Sequence, residues 1–149
     1  MHDRLGFRVS KLARILQARL DAELASLNMT RLKWTALNGI ETGLYHSPSD
    51  LAENIGISRP STSRLLNALE SDGYIERSLI NTDGRLRHLS TTELGKQKIA
   101  ECWPVVAQFD QYFTKKLTPE LQTALCKAIT LLIEGESTTY DTHYHTTPA

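Results

Sequence analysis

The sequence has few of the features that mark specialised classes of protein. It contains only two cysteines, Cys102 and Cys126, without a CxxC spacing, which excludes a disulfide-dense secreted scaffold and a cysteine-rich zinc fold. No apolar run approaches the ~18 residues that a membrane span requires. Met1–Phe7 lacks the apolar centre of a signal peptide. We therefore expect a cytoplasmic protein with no membrane partner.

Catalytic motifs are also missing from the sequence. It contains no HExxH, GxSxG, GxGxxG or P-loop pattern, and no pair of carboxylates spaced for acid–base chemistry. One His-x-His segment, His143–His145, is a weak signal for a metal site because it falls in a Thr-rich tail. We expect no catalytic residue, no metal site, no cofactor and no enzymatic activity.

Net charge is absent as well, since 17 basic residues balance 17 acidic ones. A nucleic-acid binder usually carries a basic surface, so neutrality at first argues against one. The charge is uneven, however: residues 1–33 hold seven basic and three acidic groups, whereas Ser58–Leu69 holds two arginines and no acid. Neutrality therefore predicts weak non-specific affinity for DNA, and it does not exclude DNA binding.

Hydrophobic residues make up 40% of the 149 residues, enough for one compact core. Apolar residues three or four apart predict a long first helix from Leu5 to Leu27 and two further helices that begin near Thr92 and Thr118. Between them, the pattern predicts a helix capped by Thr30, a short helix Asp50–Asn54, a turn at Gly56, a helix Arg59–Ser71, and strands Tyr74–Arg77 and Leu86–Ser90.

This order of elements is typical of a winged helix-turn-helix. The predicted class is mainly α (α+β), with a winged DNA-binding domain at residues 31–92. Residues 1–30 and 93–136 carry apolar stripes that so small a winged module cannot cover, and these segments are predicted to form a helical dimerisation region. The alternative is that the apolar stripes of these segments pack against one another within a monomer. Residues 137–149 are predicted to be a flexible tail.

The predicted helix Arg59–Ser71 has two different faces. Its apolar face consists of Thr62, Leu65, Leu66 and Leu69, and the opposite, acid-free face consists of Pro60, Arg64, Asn67 and Ser71, flanked by Ser61 and Ser63. Arginine can bind guanine and asparagine can bind adenine in the major groove, each through two hydrogen bonds. Ser58, Ser61 and the first-turn amides suit phosphate oxygens. The alternative interpretation is an ordinary solvated helix face.

The predicted hairpin places two arginines, Arg85 and Arg87, on one face of a strand. Arginines inserted into a narrow minor groove read DNA shape. Asp83 is close enough in sequence to pair with Arg85 and orient it. The alternative is an exposed hairpin with a surface ion pair of little energetic value.

Several segments resemble the MarR/SlyA family of transcriptional regulators. Ser58–Leu66 and Leu69–Arg77 are similar to its recognition-helix block, Asp83–Arg85 to its wing motif, and Leu51–Ser58 to its preceding helix-turn. Thr92–Gly95 follows the wing motif at the spacing that is usual in this family. The resemblance covers roughly residues 5–135, and the order and spacing of its motifs are specific.

The resemblance implies a homodimer on a pseudopalindromic operator, with the recognition helix in the major groove and the wing in the minor groove. It also implies that a small aromatic or anionic effector weakens the binding of double-stranded DNA. The candidate DNA contacts from the helix, the wing and the resemblance are Ser58, Arg59, Pro60, Ser61, Ser63, Arg64, Asn67, Arg77, Asp83, Arg85 and Arg87.

Two departures from the family pattern bear on function. Thr91 stands where the family often has leucine or valine, and the start of the chain lacks the reactive cysteine of peroxide-sensing members. Two alternatives remain: a winged-helix protein-interaction module that does not bind DNA, and a redox-responsive regulator that uses Cys102 or Cys126. Both cysteines are expected to be small buried residues.

The wing arginines lead to a direct prediction. Replacing Arg85 or Arg87 by Ala should weaken DNA binding and reduce the slope of log affinity against log salt by about one unit for each lost phosphate contact. The measurement is a salt titration of binding by fluorescence anisotropy. Equal affinity and slope for the wild type and the double variant would contradict the assignment of the wing.

Overall fold

The computed structural model describes residues 4–79 and 87–136. Helices precede, follow and separate a single two-stranded antiparallel sheet in this part of the chain. The elements in chain order are α1 (Leu5–Leu24), a 3₁₀ turn (Ala25–Leu27), α2 (Arg31–Glu41), α3 (Pro48–Ile55), α4 (Arg59–Ser71), β1 (Ile75–Leu79), β2 (Arg87–Thr91), α5 (Glu93–Thr114) and α6 (Pro119–Ile133).

Hydroxyl side chains fix where most of the helices begin. Thr30, Ser58, Thr92 and Thr118 each accept a hydrogen bond from the backbone N–H three residues later, in α2, α4, α5 and α6 respectively. Each such bond satisfies one of the amides that a helix leaves unpaired in its first turn. These starts agree with the caps predicted from the sequence.

The core lies between the winged domain and the start of α5. It contains Leu37 of α2, Leu51 of α3, Leu66 and Leu69 of α4, Ile75 and Leu89 of the two strands, and Cys102 of α5, each at most 2% exposed. All of the elements from α2 to α5 therefore share one apolar interior. The first half of α5 packs against the sheet and α2, so the predicted boundary at residue 93 does not interrupt the core.

The first helix is shorter than predicted. The chain leaves α1 at Leu24 and passes through the 3₁₀ turn to Asn28, which adopts a left-handed conformation with φ 52°. Met29 N–H then donates to the Leu24 carbonyl at 3.3 Å, and both side chains are buried. Leu27, predicted to lie in the helix, therefore lies in the turn.

β1 begins at Ile75, one residue later than predicted, and β2 is described from Arg87. Ile75 pairs with Thr91, and Arg77 with Leu89. The turn predicted at Asn81–Gly84 lies outside the described residues. At the base of the sheet, Thr92 N–H donates to the Tyr74 carbonyl at 3.0 Å and the Thr92 hydroxyl donates to the Gly73 carbonyl at 2.6 Å. These bonds join the start of α5 to the end of α4.

The terminal helices leave apolar side chains uncovered. Leu5, Val9 and Leu12 of α1 and Leu121, Leu125, Ile129 and Leu132 of α6 are 43–59% exposed. Arg19 joins α1 to α5: its guanidinium lies 3.6 Å from the ring centroid of Tyr112. Within residues 4–79 and 87–136, no helix is long and apolar enough to cross a membrane.

Gly95 allows the start of α5 to approach the wing closely. A Cβ at this position would overlap the Tyr74 carbonyl oxygen, which is itself held by Thr92.

We expect Gly95→Ala to lower the free energy of unfolding by about 1–3 kcal/mol, measured by urea denaturation. Gly6→Ala is the matched control: nothing lies within 4 Å of its Cβ, so it should raise that free energy by up to about 1 kcal/mol. A Gly95→Ala variant as stable as the wild type would contradict this packing.

Candidate nucleic-acid interface

Helices α3 and α4 form a tight helix-turn-helix. Ser47 and Asp50 close a capping box at the start of α3, in which each side chain bonds the other residue's backbone N–H. Gly56 ends α3 in the left-handed conformation with φ 73°, a geometry that favours glycine. Ile57 N–H then donates to the Ala52 carbonyl at 3.2 Å, and Ser58 begins α4 directly afterwards. The short turn fixes the angle at which α4 leaves α3.

The two faces of α4 are in different environments. Thr62, Leu66 and Leu69 are at most 3% exposed, and the Thr62 hydroxyl donates to the Ser58 carbonyl at 3.0 Å. Leu65, predicted on the same face, is half-buried and packs against the core. The exposed residues of the opposite side include Arg59, Pro60, Ser63, Arg64 and Asn67. Burial of the apolar face therefore determines which side of α4 faces outward.

Hydroxyl groups cluster at the first turn of α4. Ser61 N–H donates to Ser58 Oγ at 3.3 Å, and Ser58 Oγ donates to Ser61 Oγ at 2.9 Å. Ser58 is exposed and Ser61 is half-buried. This end of α4 also borders an open cleft of about 610 Å³ between α3 and α4, lined by Pro48, Ser49, Ala52, Glu53, Ile57, Ser58, Arg59, Thr62 and Ser63.

Arg77 is oriented toward α4. Its Nε donates to Glu70 Oε2 at 3.0 Å, its Nη2 donates to the same oxygen, and Nη2 also donates to Asn67 Oδ1 at 2.7 Å. The hydrogen bond to the Glu70 carboxylate raises the pKa of Arg77 above its ordinary value. Two residues predicted separately as DNA contacts, Arg77 and Asn67, are thus bonded to each other.

Glu70 is the residue of this region that sequence reasoning missed. It lies within the motif Leu69–Arg77, and a carboxylate seven residues before an arginine, across a helix end and a strand start, is a signal that indicates such a pair. Arg64, by contrast, points along its own helix, where its Nε donates to the Pro60 carbonyl at 3.4 Å.

The wing is described only at its base. Asp83 and Arg85, and the side chain of Arg87, lie outside the described residues. The Arg87 backbone pairs with Leu79 in the sheet. A backbone bond from Leu89 N–H to the His46 carbonyl, 3.1 Å long, attaches β2 to the segment before α3. The His46 and His88 rings lie nearly parallel beside it, with centroids 6.3 Å apart.

The two cysteines occupy different environments. Cys102 is fully buried in α5, and burial raises the pKa of its thiol. Cys126 on α6 is exposed, so the expectation that both cysteines are buried is wrong for Cys126. Its helix has no buried residue in the described chain. Within the described ranges, no cluster of three or more His, Cys, Asp or Glu residues could hold a metal ion.

Comparison with known proteins gives a family match. Residues 27–86, which begin at the end of the 3₁₀ turn, match the model of the MarR family. The winged helix-turn-helix of this chain is similar to that of the MarR family. The match includes α2, α3, α4 and β1, and therefore all of the exposed α4 residues described above.

Solved structures of MarR-family proteins share most of this fold. A MarR-family regulator from Silicibacter pomeroyi DSS is similar with a TM-score of 0.79 and 23% identity, over 90% of each chain. MepR of S. aureus, in a complex with DNA, has a TM-score of 0.77 at 16% identity, over 88% of this chain and 97% of MepR. A MarR-family protein of Mycobacterium tuberculosis, in complex with p-aminosalicylic acid, has a TM-score of 0.70 at 20% identity, over 87% of this chain and 98% of that one.

These matches extend the similarity of fold beyond the winged domain to the terminal helices. The mainly helical architecture with one small sheet, predicted from the sequence, is confirmed.

Proposed function

We propose that this chain is a sequence-specific transcriptional regulator, not an enzyme, that binds a pseudopalindromic operator as a homodimer. The observation that carries the proposal is the outward face of α4. Arg59, Arg64 and Asn67 are exposed on it, while Leu66 and Leu69 anchor the opposite face in the core. A rigid helix that presents arginine and amide groups matches the hydrogen-bonding pattern of the major groove.

The distribution of charge supports this orientation. No acidic residue occurs between Ser58 and Leu69, so phosphates can approach α4 without repulsion from its first three turns. The Ser58 and Ser61 hydroxyls at the first turn provide partners for phosphate oxygens, which position a protein on DNA without reading sequence. The MarR-family relative MepR was crystallised with DNA, which agrees with this role.

Dimerisation is proposed from the uncovered stripes of α1 and α6. Leu12, Leu125 and Leu132 are 44%, 43% and 56% exposed, and they belong to two apolar faces at the chain ends. Contiguous apolar surface of this kind marks an association site. A second copy of the chain would cover both stripes and place two α4 helices on one operator, as the symmetry of a pseudopalindrome requires.

An effector site is proposed between α1 and α5. A cleft of about 290 Å³ is lined by Arg19, Glu23, Val105, Gln108 and Tyr112, and combines a cation with an aromatic ring. Glu23 Oε1 already accepts from Arg19 Nε at 2.7 Å, so a small aromatic anion would bind here by competing with Glu23 for the guanidinium group. A MarR-family protein was crystallised with p-aminosalicylic acid. Binding there would alter the packing of α1 on α5 and thereby the spacing of the two α4 helices.

Selection from a random pool of duplex oligonucleotides tests the function directly. We expect the wild-type chain to enrich a pseudopalindrome whose half-sites lie about one helical turn apart, and an aromatic carboxylate such as salicylate to weaken its binding. Arg64→Ala should reduce discrimination at one base pair of each half-site by roughly 1–3 kcal/mol. Recovery of no enriched sequence would favour a protein-interaction module.

The dimer has its own test. Leu125→Glu with Leu132→Glu should convert the chain from dimer to monomer, because each change places a charge in the apolar stripe of α6. Sedimentation equilibrium measures the mass, and Lys127→Glu, an exposed change on the same helix, is the control. A wild-type chain that sediments as a monomer would contradict the proposed dimer.

A further inference from the structure

The bond between Arg77 and Asn67 limits what α4 can offer to a base. A guanidinium group has only N–H donors, so the atom of Asn67 that faces it must be the amide oxygen. The Arg77 Nη2 to Asn67 Oδ1 distance is 2.7 Å. The other end of the amide, Nδ2, carries two hydrogens and is therefore a pure donor.

The guanidinium group is itself held in place. Its Nε and Nη2 both donate to the Glu70 carboxylate, so Glu70 fixes the orientation of the guanidinium plane. The Arg77 side chain is only 17% exposed, whereas Asn67 is exposed. Arg77 also lies on β1 opposite the buried Leu89, which anchors its backbone. The Arg77 guanidinium group is therefore a hydrogen-bond donor of fixed position beside the exposed side chain of Asn67.

This arrangement changes the base that Asn67 can recognise. Two-point recognition of adenine needs an amide oxygen for N6–H and an amide nitrogen for N7. The Asn67 oxygen has two lone pairs, and Arg77 engages one of them. We infer that Arg77 is a positioning residue that turns the Asn67 oxygen toward itself and away from the bases, so that Asn67 reads them through Nδ2. Such an amide favours guanine, whose O6 and N7 both accept, or thymine O4 over adenine, where only N7 accepts and N6–H is left without an acceptor. The inference rests on the proposed function, because it requires α4 to lie in the major groove.

The test measures affinity for operators that differ at the base pair read by Asn67, which is the position where Asn67→Ala loses discrimination. We expect the wild type to prefer guanine or thymine there over adenine by roughly five- to a hundredfold. Arg77→Met frees the amide oxygen and should move the preference toward adenine at that position alone. The double variant Arg77→Met with Asn67→Ala should show no preference there.

Lys33→Met is the matched control. Lys33 Nζ bonds Asp72 Oδ2 at 2.7 Å and so ties the end of α4 to α2, away from the exposed face of α4. Its loss also removes a charged contact between α4 and a neighbouring element but leaves the Asn67 oxygen engaged, so the guanine or thymine preference should persist. Arg77→Leu, which also removes every donor at this position, replaces Arg77→Met if the latter does not fold.

A readout without DNA accompanies the affinities. The side-chain amide resonances of Asn67 in the free protein should shift in Arg77→Met and stay in place in Lys33→Met.

The outcomes separate the two claims. If the wild type enriches no sequence, the proposed function fails, and this inference fails with it. If the wild type and Arg64→Ala behave as proposed but the Asn67 position prefers adenine, only the role of Arg77 is overturned. The same holds if neither Arg77 variant changes the preference at that position, or if Asn67→Ala changes no preference.

Discussion

The burial of one face of α4 is the constraint on which the rest of the molecule depends. Leu66 and Leu69 lie in a core that is built from both neighbouring helices, both strands and the first half of α5. Burying each of these leucines contributes about 1.5–3 kcal/mol. Any rotation of α4 about its axis would lose that contribution. The direction of the polar side chains is therefore a consequence of the apolar packing, and these side chains need no strong contacts of their own to hold it.

The sequence predicted most of this arrangement because its signals were local. Capping hydroxyls, the left-handed glycine at Gly56 and the apolar periodicity of Arg59–Ser71 each depend on residues a few positions apart. The strands were placed within two residues, since their exact ends are set by pairing across the sheet. Leu27 was misplaced because the end of α1 is fixed by the burial of Met29, which periodicity does not reveal.

The candidate site was less accessible to sequence reasoning. Helical geometry predicts that Arg64 and Asn67 face outward, but it does not reveal which other side chains they contact. The contact of Asn67 with Arg77 links residues on different elements, and its existence depends on the angle between α4 and β1. Cys126 shows the same limit: its position on a helix was predictable, but its exposure depends on how α6 packs.

The bonds from Thr92 to Gly73 and Tyr74 give α5 a mechanical role. They clamp the first turn of the helix to the base of the wing, while its far end packs beside α1 at Tyr112. Its 22 residues make a rod about 33 Å long, at 1.5 Å per residue. A tilt of about 5° at one end of such a rod displaces the other by roughly 3 Å. One continuous helix therefore links the geometry at Tyr112 to the geometry at the base of the wing.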